Sequence, residues 1–493
     1  MSWSLLLLIA GPILAGVGSL LMRHRLMLER LQIVQAILIL GATLGVVRSV
    51  VGTGEANVGA LFHADALSAW LDLLMGIVAA SGTLYAIGYV GEQLDRAHLS
   101  LWGARKFFFI FDGYLAAMLA AVNLDNVAVM WIAIEGSTLA AALLIGFERS
   151  KAALEAGWKF MILSSVGIAL ALFGTILVYY SSERVLGVTN EALRWSELYR
   201  VASELNPATI KVAWIFLLIG YGTKAGIAPM HTWLPDAHAE APTPVSAMLS
   251  ANMLTLAVYA ILRFKTVADR AVGVDFTSNL MLAFGLFSIA VACIFMLVQQ
   301  DYKRLFAYSS IEHMGIAMVG FGIGGFGVFA GAWHLLNHAL AKSMAFYGAG
   351  LVLLRHEHKM LEHVPGLLRQ MPIAGSAILL AGLALAGMPP FGLFMSELWI
   401  TSQAYASQPK VAVLFVGLLV VAFATLLYQV LRMALGSPEK RGIEVTPRCH
   451  AFTGSAIAVN LAALAVIGLA IPSALGTLLR AIAQIFDASI PLV

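Results

Sequence analysis

The chain has 493 residues, 60% of them apolar and only 12% charged, with a mean hydropathy of +0.87 and a formal net charge of +3. That composition excludes a soluble fold of this length and points to a polytopic membrane protein. The small charge argues against nucleic-acid binding, and two separated cysteines, Cys293 in an apolar run and Cys449 in a polar connection, cannot build a CxxC metal or iron–sulfur site.

Apolar runs of spanning length, about 20 residues each, cover residues 4–22, 31–51, 66–90, 107–123, 126–147, 158–180, 211–228, 244–264, 280–298, 304–323, 327–354, 372–402, 411–434 and 452–471. They predict an all-α membrane protein of about fourteen transmembrane helices. Ser473 to Ala488 reads as an amphipathic tail rather than a further span. Positive charges collect in alternate connections: Arg23, Arg25 and Arg30; Arg96, Arg105 and Lys106; Arg149 and Lys151; Lys303 and Arg304; Arg355, Lys359 and Arg369; Arg432, Lys440, Arg441 and Arg448. Those connections are expected on the cytoplasmic side of an inner membrane, with both termini outside. The first apolar run has no basic residue before it, which argues against a cleaved signal peptide.

Two patterns fail their context tests. Gly322, Gly324 and Gly327 spell GxGxxG but join two apolar spans rather than a strand and a helix, so no dinucleotide site is expected. His356, His358 and His363 crowd one polar loop, where solvated side chains are the expected reading and no metal site is assigned.

The two halves echo each other. Lys159, Met161 and Gly167 recur with the same offsets as Lys342, Met344 and Gly350, and Gly226 with Pro229 is matched by Gly387 with Pro390. Paired interruptions in two halves are the pattern of a transporter built from repeats, with its site at the broken helices.

Ionisable residues inside apolar runs are the candidate site, because a charge at mid-membrane costs about 2.5–3.5 kcal/mol and needs a functional reason. Lys224 lies in the uncharged run Val212 to Ala228, just before the break at Pro229. Glu135 sits nine residues past Asn126, about 13 Å into a helix. His334, His338 and Lys342 step by four along one helix face as a proton wire would, with haem or metal ligation by the two histidines as the alternative reading. Glu397 follows Pro389 and Pro390, while Asp236, His238 and Glu240 lie in the first break. Burial disfavours the charged form of each group, so acids and bases spread over several helices suit a relay of coupled protonations.

The runs GYGTKAGIAPMHTWLPDAHAEAPTPVSAMLSA, VQQDYKRLFAYSSIEHMG, HLLNHALAKSMAFYGAG and LAGMPPFGLFMSE resemble the antiporter-like subunits of respiratory complex I, of multi-subunit sodium/proton antiporters and of membrane-bound hydrogenases. Within that family, AIEGSTLAAALLIGFERSKAALEAGWKF is most similar to the hydrogenase-4 component F type, of formate hydrogenlyase. The resemblance implies fourteen helices with breaks in helices seven and twelve: a three-helix segment at 1–106, inverted repeats of helices four to eight at 107–265 and nine to thirteen at 280–434, and a last helix with tail at 435–493. It implies Glu135 as the helix-five glutamate, Lys224 as the lysine that pairs with it, and Glu397 at the exit side. Lys159, Asp236, His238 and Lys303 are read beside these as accessory candidates. Helix eight departs from the pattern, offering Ser250, Asn252 and Thr255 where relatives carry Lys or His. The expected function is a proton-translocating membrane subunit of a redox-driven complex, without a cofactor of its own and dependent on other membrane and peripheral subunits. The alternatives are a sodium/proton antiporter subunit and the membrane partner of a proton-driven inorganic-carbon uptake complex. A haem-carrying quinol oxidoreductase is a third class, one that would show a haem spectrum.

Overall fold

In the computed structural model, residues 3–59, 61–437 and 445–487 are described. Lys440 and Arg441 of the expected basic connections, and Ala488 at the end of the expected tail, lie outside them. The chain runs through α1 (Trp3–Leu21), α2 (Arg25–Thr53), a hairpin of β1 (Ala56–Val58) and β2 (Phe62–Ala64), α3 (Ala66–Asp95), α4 (Leu101–Val122), α5 (Val127–Ile145) and α6 (Lys151–Leu186). A short α7 (Trp195–Arg200) precedes α8 (Pro207–Ala225), α9 (Trp233–Glu240), α10 (Thr243–Met248), α11 (Leu254–Val272), α12 (Val274–Val298), α13 (Tyr302–Ile323) and α14 (Phe326–His356). After the single turn α15 (Leu367–Gln370) come α16 (Pro372–Leu385), α17 (Gly392–Ser407), α18 (Pro409–Leu435), α19 (Pro447–Leu469) and α20 (Ser473–Phe486). Among the described residues the antiparallel hairpin, with Asn57 opposite His63, is the one sheet in an otherwise helical chain.

Among the described residues nine helices are long and apolar enough to cross a membrane by length and composition, the α10–α11 stretch counting as one. The chain is a multi-pass membrane protein. Helix starts follow local chemistry: Asp65, Ser100, Asn126, Ser150, Asn206 and Asp301 each accept a backbone N–H in the first turn of the helix that follows. The Ser100 cap starts α4 six residues before the apolar run at 107, so Arg105 and Lys106 lie in the helix and not in a connection. The stretch 372–402 is two helices, because Gly387 takes φ +68° and the chain turns at Pro389 and Pro390. The α8–α9 break is built alike, with Gly226 at φ +73° and Pro229 three residues on. Only glycine adopts such a φ without strain.

The core lies where α3, α10–α11, α13 and α14 meet. The apolar window of α10–α11 is fully buried and that of α3 is 83% buried, against 28–44% for the other apolar helices. Contacts between connections sort them onto two faces. On one, Arg25 meets Asp95, Arg448 meets Glu29, Arg96 donates to the Leu354 carbonyl at 2.8 Å, and Lys359 meets Glu240 at 2.8 Å. On the other, Arg263 clasps Asp65 at 2.6 Å and Arg194 holds Asp125 at 2.8 Å. The tail α20 buries Leu475, Leu478, Leu479 and Ile482, and Tyr199 donates to its Ile485 carbonyl at 2.9 Å on this second face.

Candidate functional site: a buried file of ionisable side chains

The first cluster forms where α5, α6 and α8 meet. Glycine sets the approach of α6 and α8: a Cβ on Gly220 would stand 2.5 Å from the Ala171 nitrogen and 2.6 Å from the Gly167 carbonyl oxygen. Lys224, in the last turn of α8, is thereby carried inside and fully buried. Its Nζ donates to Thr138 Oγ1 of α5 and stands 5.9 Å from the centre of the Phe160 ring. Glu135 lies three residues before Thr138 on the same face of α5. Its Oε1 accepts from Ser165 of α6 at 2.9 Å, and its buried Oε2 has no hydrogen-bond partner among the described residues.

The expected Glu135–Lys224 pair is therefore not a direct ion pair in this conformation. One hydroxyl serves the ammonium and another the carboxylate. Each group then has a neutral partner that stays satisfied whichever protonation state the group takes.

From Lys224 the file crosses an aromatic layer. Phe160 packs on Trp233 at 4.8 Å, Trp233 lies 6.4 Å from the His238 ring, and His238 lies 5.5 Å from Phe346. His238 is fully buried, and neither ring nitrogen has a hydrogen-bond partner among the described residues. Phe346 packs on Phe306, whose carbonyl accepts from Lys342 Nζ at 2.7 Å.

Lys342, His338 and His334 are all fully buried on α14, and α13 and α17 complete the cluster. The His313 ring of α13 is 4.8 Å from His338, and its Nδ1 is 3.1 Å from His334 Nε2. His334 Nδ1 lies 2.8 Å from Ser396 Oγ of α17. The neighbouring Glu397 folds its half-buried carboxylate over the α16–α17 break, where any side chain at Gly387 would collide with it. Glu312, next to His313, is 3% exposed, and its Oε2 has no hydrogen-bond partner among the described residues.

The accessory positions separate. Asp236 bridges Lys159 of α6 at 3.1 Å and Arg304 of α13 at 2.6 Å, tying the two halves together near the first face. Lys159 is 47% exposed and also pairs with Glu155, so it is a surface ion pair. Lys303 is buried and donates to the Ala241 carbonyl at 2.9 Å. At the departure in helix eight, a π turn at Leu249–Met253 joins α10 to α11 and brings Ser250 Oγ to 2.8 Å from Ser310 Oγ of α13. Asn252 Oδ1 is buried without a partner, while Thr255 bonds back to Ala251 within its own helix.

Glu312 and His313 were not singled out from sequence, although an acid and an imidazole in mid-run met the rule that selected Glu135. Thr138, Ser165 and Ser396 carried no signal, since a hydroxyl in an apolar helix usually bonds its own backbone.

Residues 125–423 match the family described as NADH:quinone oxidoreductase/Mrp antiporter, TM. Over 382 residues the chain is 39% identical to a hydrogenase-4 component F homolog of Methylacidiphilum infernorum, covering 77% of this chain and 80% of that protein. Over 375 residues it is 32% identical to NADH-quinone oxidoreductase subunit L of Campylobacter jejuni, covering 74% of this chain but only 58% of that protein. Two solved structures share the fold. A chain of the membrane-bound sulfane sulfur reductase, an archaeal respiratory membrane complex, superposes with a TM-score of 0.85 at 22% identity over 98% of this chain and 97% of that one. A chain of the Mrp complex from Dietzia sp. DQ12-45-1b gives 0.84 at 19% identity over 99% of both. These relatives and neighbours are components or subunits of multi-subunit assemblies.

Proposed function

We propose that this chain, which belongs to the NADH:quinone oxidoreductase/Mrp antiporter transmembrane family, translocates protons as the membrane subunit of a redox-driven complex. The observation that carries the reading is the file from half-buried Glu135 through the fully buried Lys224, His238, Lys342, His338, His313 and His334 to half-buried Glu397. It lies between two helices broken in the same way. Groups that ionise inside the membrane, each with neutral or aromatic neighbours, suit transient protonation better than permanent ion pairing. Lys342 and the histidines carry the route between the halves, with Ser250 and Ser310 beside it in place of a helix-eight base.

In this reading α4, α8, α13, α14 and the broken α16–α17 join the nine apolar helices as spans, giving fourteen. The stretches 107–265 and 280–434 are its inverted repeats. The face carrying Arg25, Arg96, Arg304 and Lys359 is cytoplasmic at an inner membrane, and both termini lie outside. Likeness to hydrogenase-4 component F and to subunit L favours redox partners. Likeness to the Mrp complex keeps a sodium/proton antiporter subunit as the second reading, and identifying the subunits that co-purify separates the two.

The test is Lys224→Ala in vesicles containing the assembled complex. Proton pumping is expected to be largely abolished with membrane insertion retained, because the titrating cation is lost without added bulk. Wild-type pumping by a well-inserted variant would overturn the role of Lys224.

A further inference from the structure

We infer that His313, His334 and Glu397 form a transition-metal site and that Zn2+ held there blocks proton movement. The blocking half rests on the function proposed above; the binding half does not. Each of the three residues offers one ligand atom, and these atoms all lie within 4.8 Å of one another, brought together from α13, α14 and α17. His313 Nδ1 and His334 Nε2 stand 3.1 Å apart. The edge of a zinc tetrahedron with bonds of 2.0–2.1 Å is about 3.3 Å, so both nitrogens can reach one ion with little movement.

The hydrogen bonds fix one ligand in the right form. Ser396 Oγ donates to the Leu393 carbonyl at 2.8 Å, so toward His334 it can only accept, and His334 Nδ1 carries the hydrogen between them. His334 Nε2 is then a lone pair facing His313. Support of a ligating imidazole through its other nitrogen is the usual second layer of a metal site. The 3.1 Å contact then places the His313 hydrogen on Nδ1, and a bound ion takes that position as the hydrogen leaves or moves to Nε2, which is buried and has no hydrogen-bond partner among the described residues. Two imidazoles and a carboxylate make the donor set of open zinc sites, with a fourth position left for water.

Charge favours the same conclusion. Zn2+ with the Glu397 carboxylate leaves one positive charge in the membrane, and Glu312, buried beside His313 with Oε2 unpartnered, supplies the counter-charge. The two histidines are buried and Glu397 is half-buried, so the ion enters past Glu397. Once bound, it occupies the imidazole lone pairs that a proton would use.

The experiment titrates the purified full-length chain with Zn2+ against a chromophoric chelator, with Co2+ as the spectroscopic probe. One tightly held equivalent is expected, with visible Co2+ bands of a four- or five-coordinate ion. Affinity should fall at least tenfold in His313→Gln, His334→Gln and Glu397→Gln. It should stay unchanged when the surface pair His358 and His363, with ring centres 5.5 Å apart, is replaced by glutamine. Wild-type pumping should fall with the same Zn2+ midpoint as binding. No tight equivalent, or six-coordinate Co2+ bands in the wild type, overturns the site without reliance on any variant. So does binding lost only with the surface histidines. Tight binding at the trio with undiminished pumping overturns the block, and with it the route through His334.

Discussion

A buried ammonium holds its charge only where acceptors reach it, and Lys224 has one side-chain acceptor among the described residues, Thr138 Oγ1. Thr138→Val keeps the shape and removes that oxygen. Hydrogen bonds to charged groups contribute about 1.5–3 kcal/mol, so proton transport in vesicles should slow on the order of tenfold or more. Thr138→Ser should restore most of the rate, and equal slowing by both variants would assign the loss to packing. The two lysines that share sequence offsets, Lys159 and Lys342, make a second residue-scale contrast. Lys342→Ala should slow pumping far more than Lys159→Ala, because Lys342 is fully buried against the Phe306 carbonyl whereas Lys159 sits 47% exposed between Glu155 and Asp236. Comparable pumping by the two, at matched expression, would remove Lys342 from the route.

At the scale of elements, helices that carry the file are held close by bare backbone. A Cβ on Gly285 of α12 would stand 2.8 Å from the Gly315 carbonyl oxygen of α13, and one on Gly315 would stand 2.7 Å from the Gly285 oxygen. Small residues let membrane helices gain packing contacts where lipid offers no hydrophobic drive. Gly285→Leu therefore pries α12 from α13, the helix bearing Glu312 and His313. Overpacking of this kind costs about 1–3 kcal/mol. The melting temperature in detergent should drop and pumping fall with it, while Gly417→Leu on α18, where nothing lies within 4 Å, should melt like the wild type. Identical melting of the two variants would mean that α12 and α13 separate without consequence.

At the scale of the whole molecule, the second face is closed by carboxylates set in the connections. Burial pushes the Asp65 carboxyl up, but Arg263, bonded to both of its oxygens at 2.6 and 2.7 Å, holds it below the ordinary 3.8. Asp125 is likewise held low: burial raises it, and the Ser196 hydroxyl and N–H together with Arg194 more than offset that. A carboxylate depressed in the folded state contributes stability that is fully present above its unfolded pKa and is lost as pH falls through the folded one. Stability should thus hold above about pH 4 and decline below it. Asp65→Asn should cost about 3–5 kcal/mol at neutral pH, since Arg263 is left buried without its counter-charge, and should flatten the acid limb. Thermal melts of both proteins from pH 3 to pH 7 check this, and an unchanged acid limb in the variant would locate the acid-labile groups elsewhere.

What the sequence determined alone was set by local or additive physics. Hydropathy marked the membrane segments, caps and glycines set the helix ends and both breaks, and the cost of a buried charge singled out Lys224, Glu135, Lys342, His334, His338 and Glu397. Tertiary structure decided which of those groups share a cluster, because contact between helices depends on side-chain volumes far apart in the chain. Folding placed hydroxyls of Thr138 and Ser165 where a Glu135–Lys224 ion pair was expected, and left Lys159 at the surface while Lys342 was enclosed. It also brought His313, 21 residues before His334, against the α14 histidines, since α13 turns back on α14 at a close glycine contact between Gly320 and Gly327. No periodicity within either helix encodes that meeting; it follows from how closely the two backbones can approach.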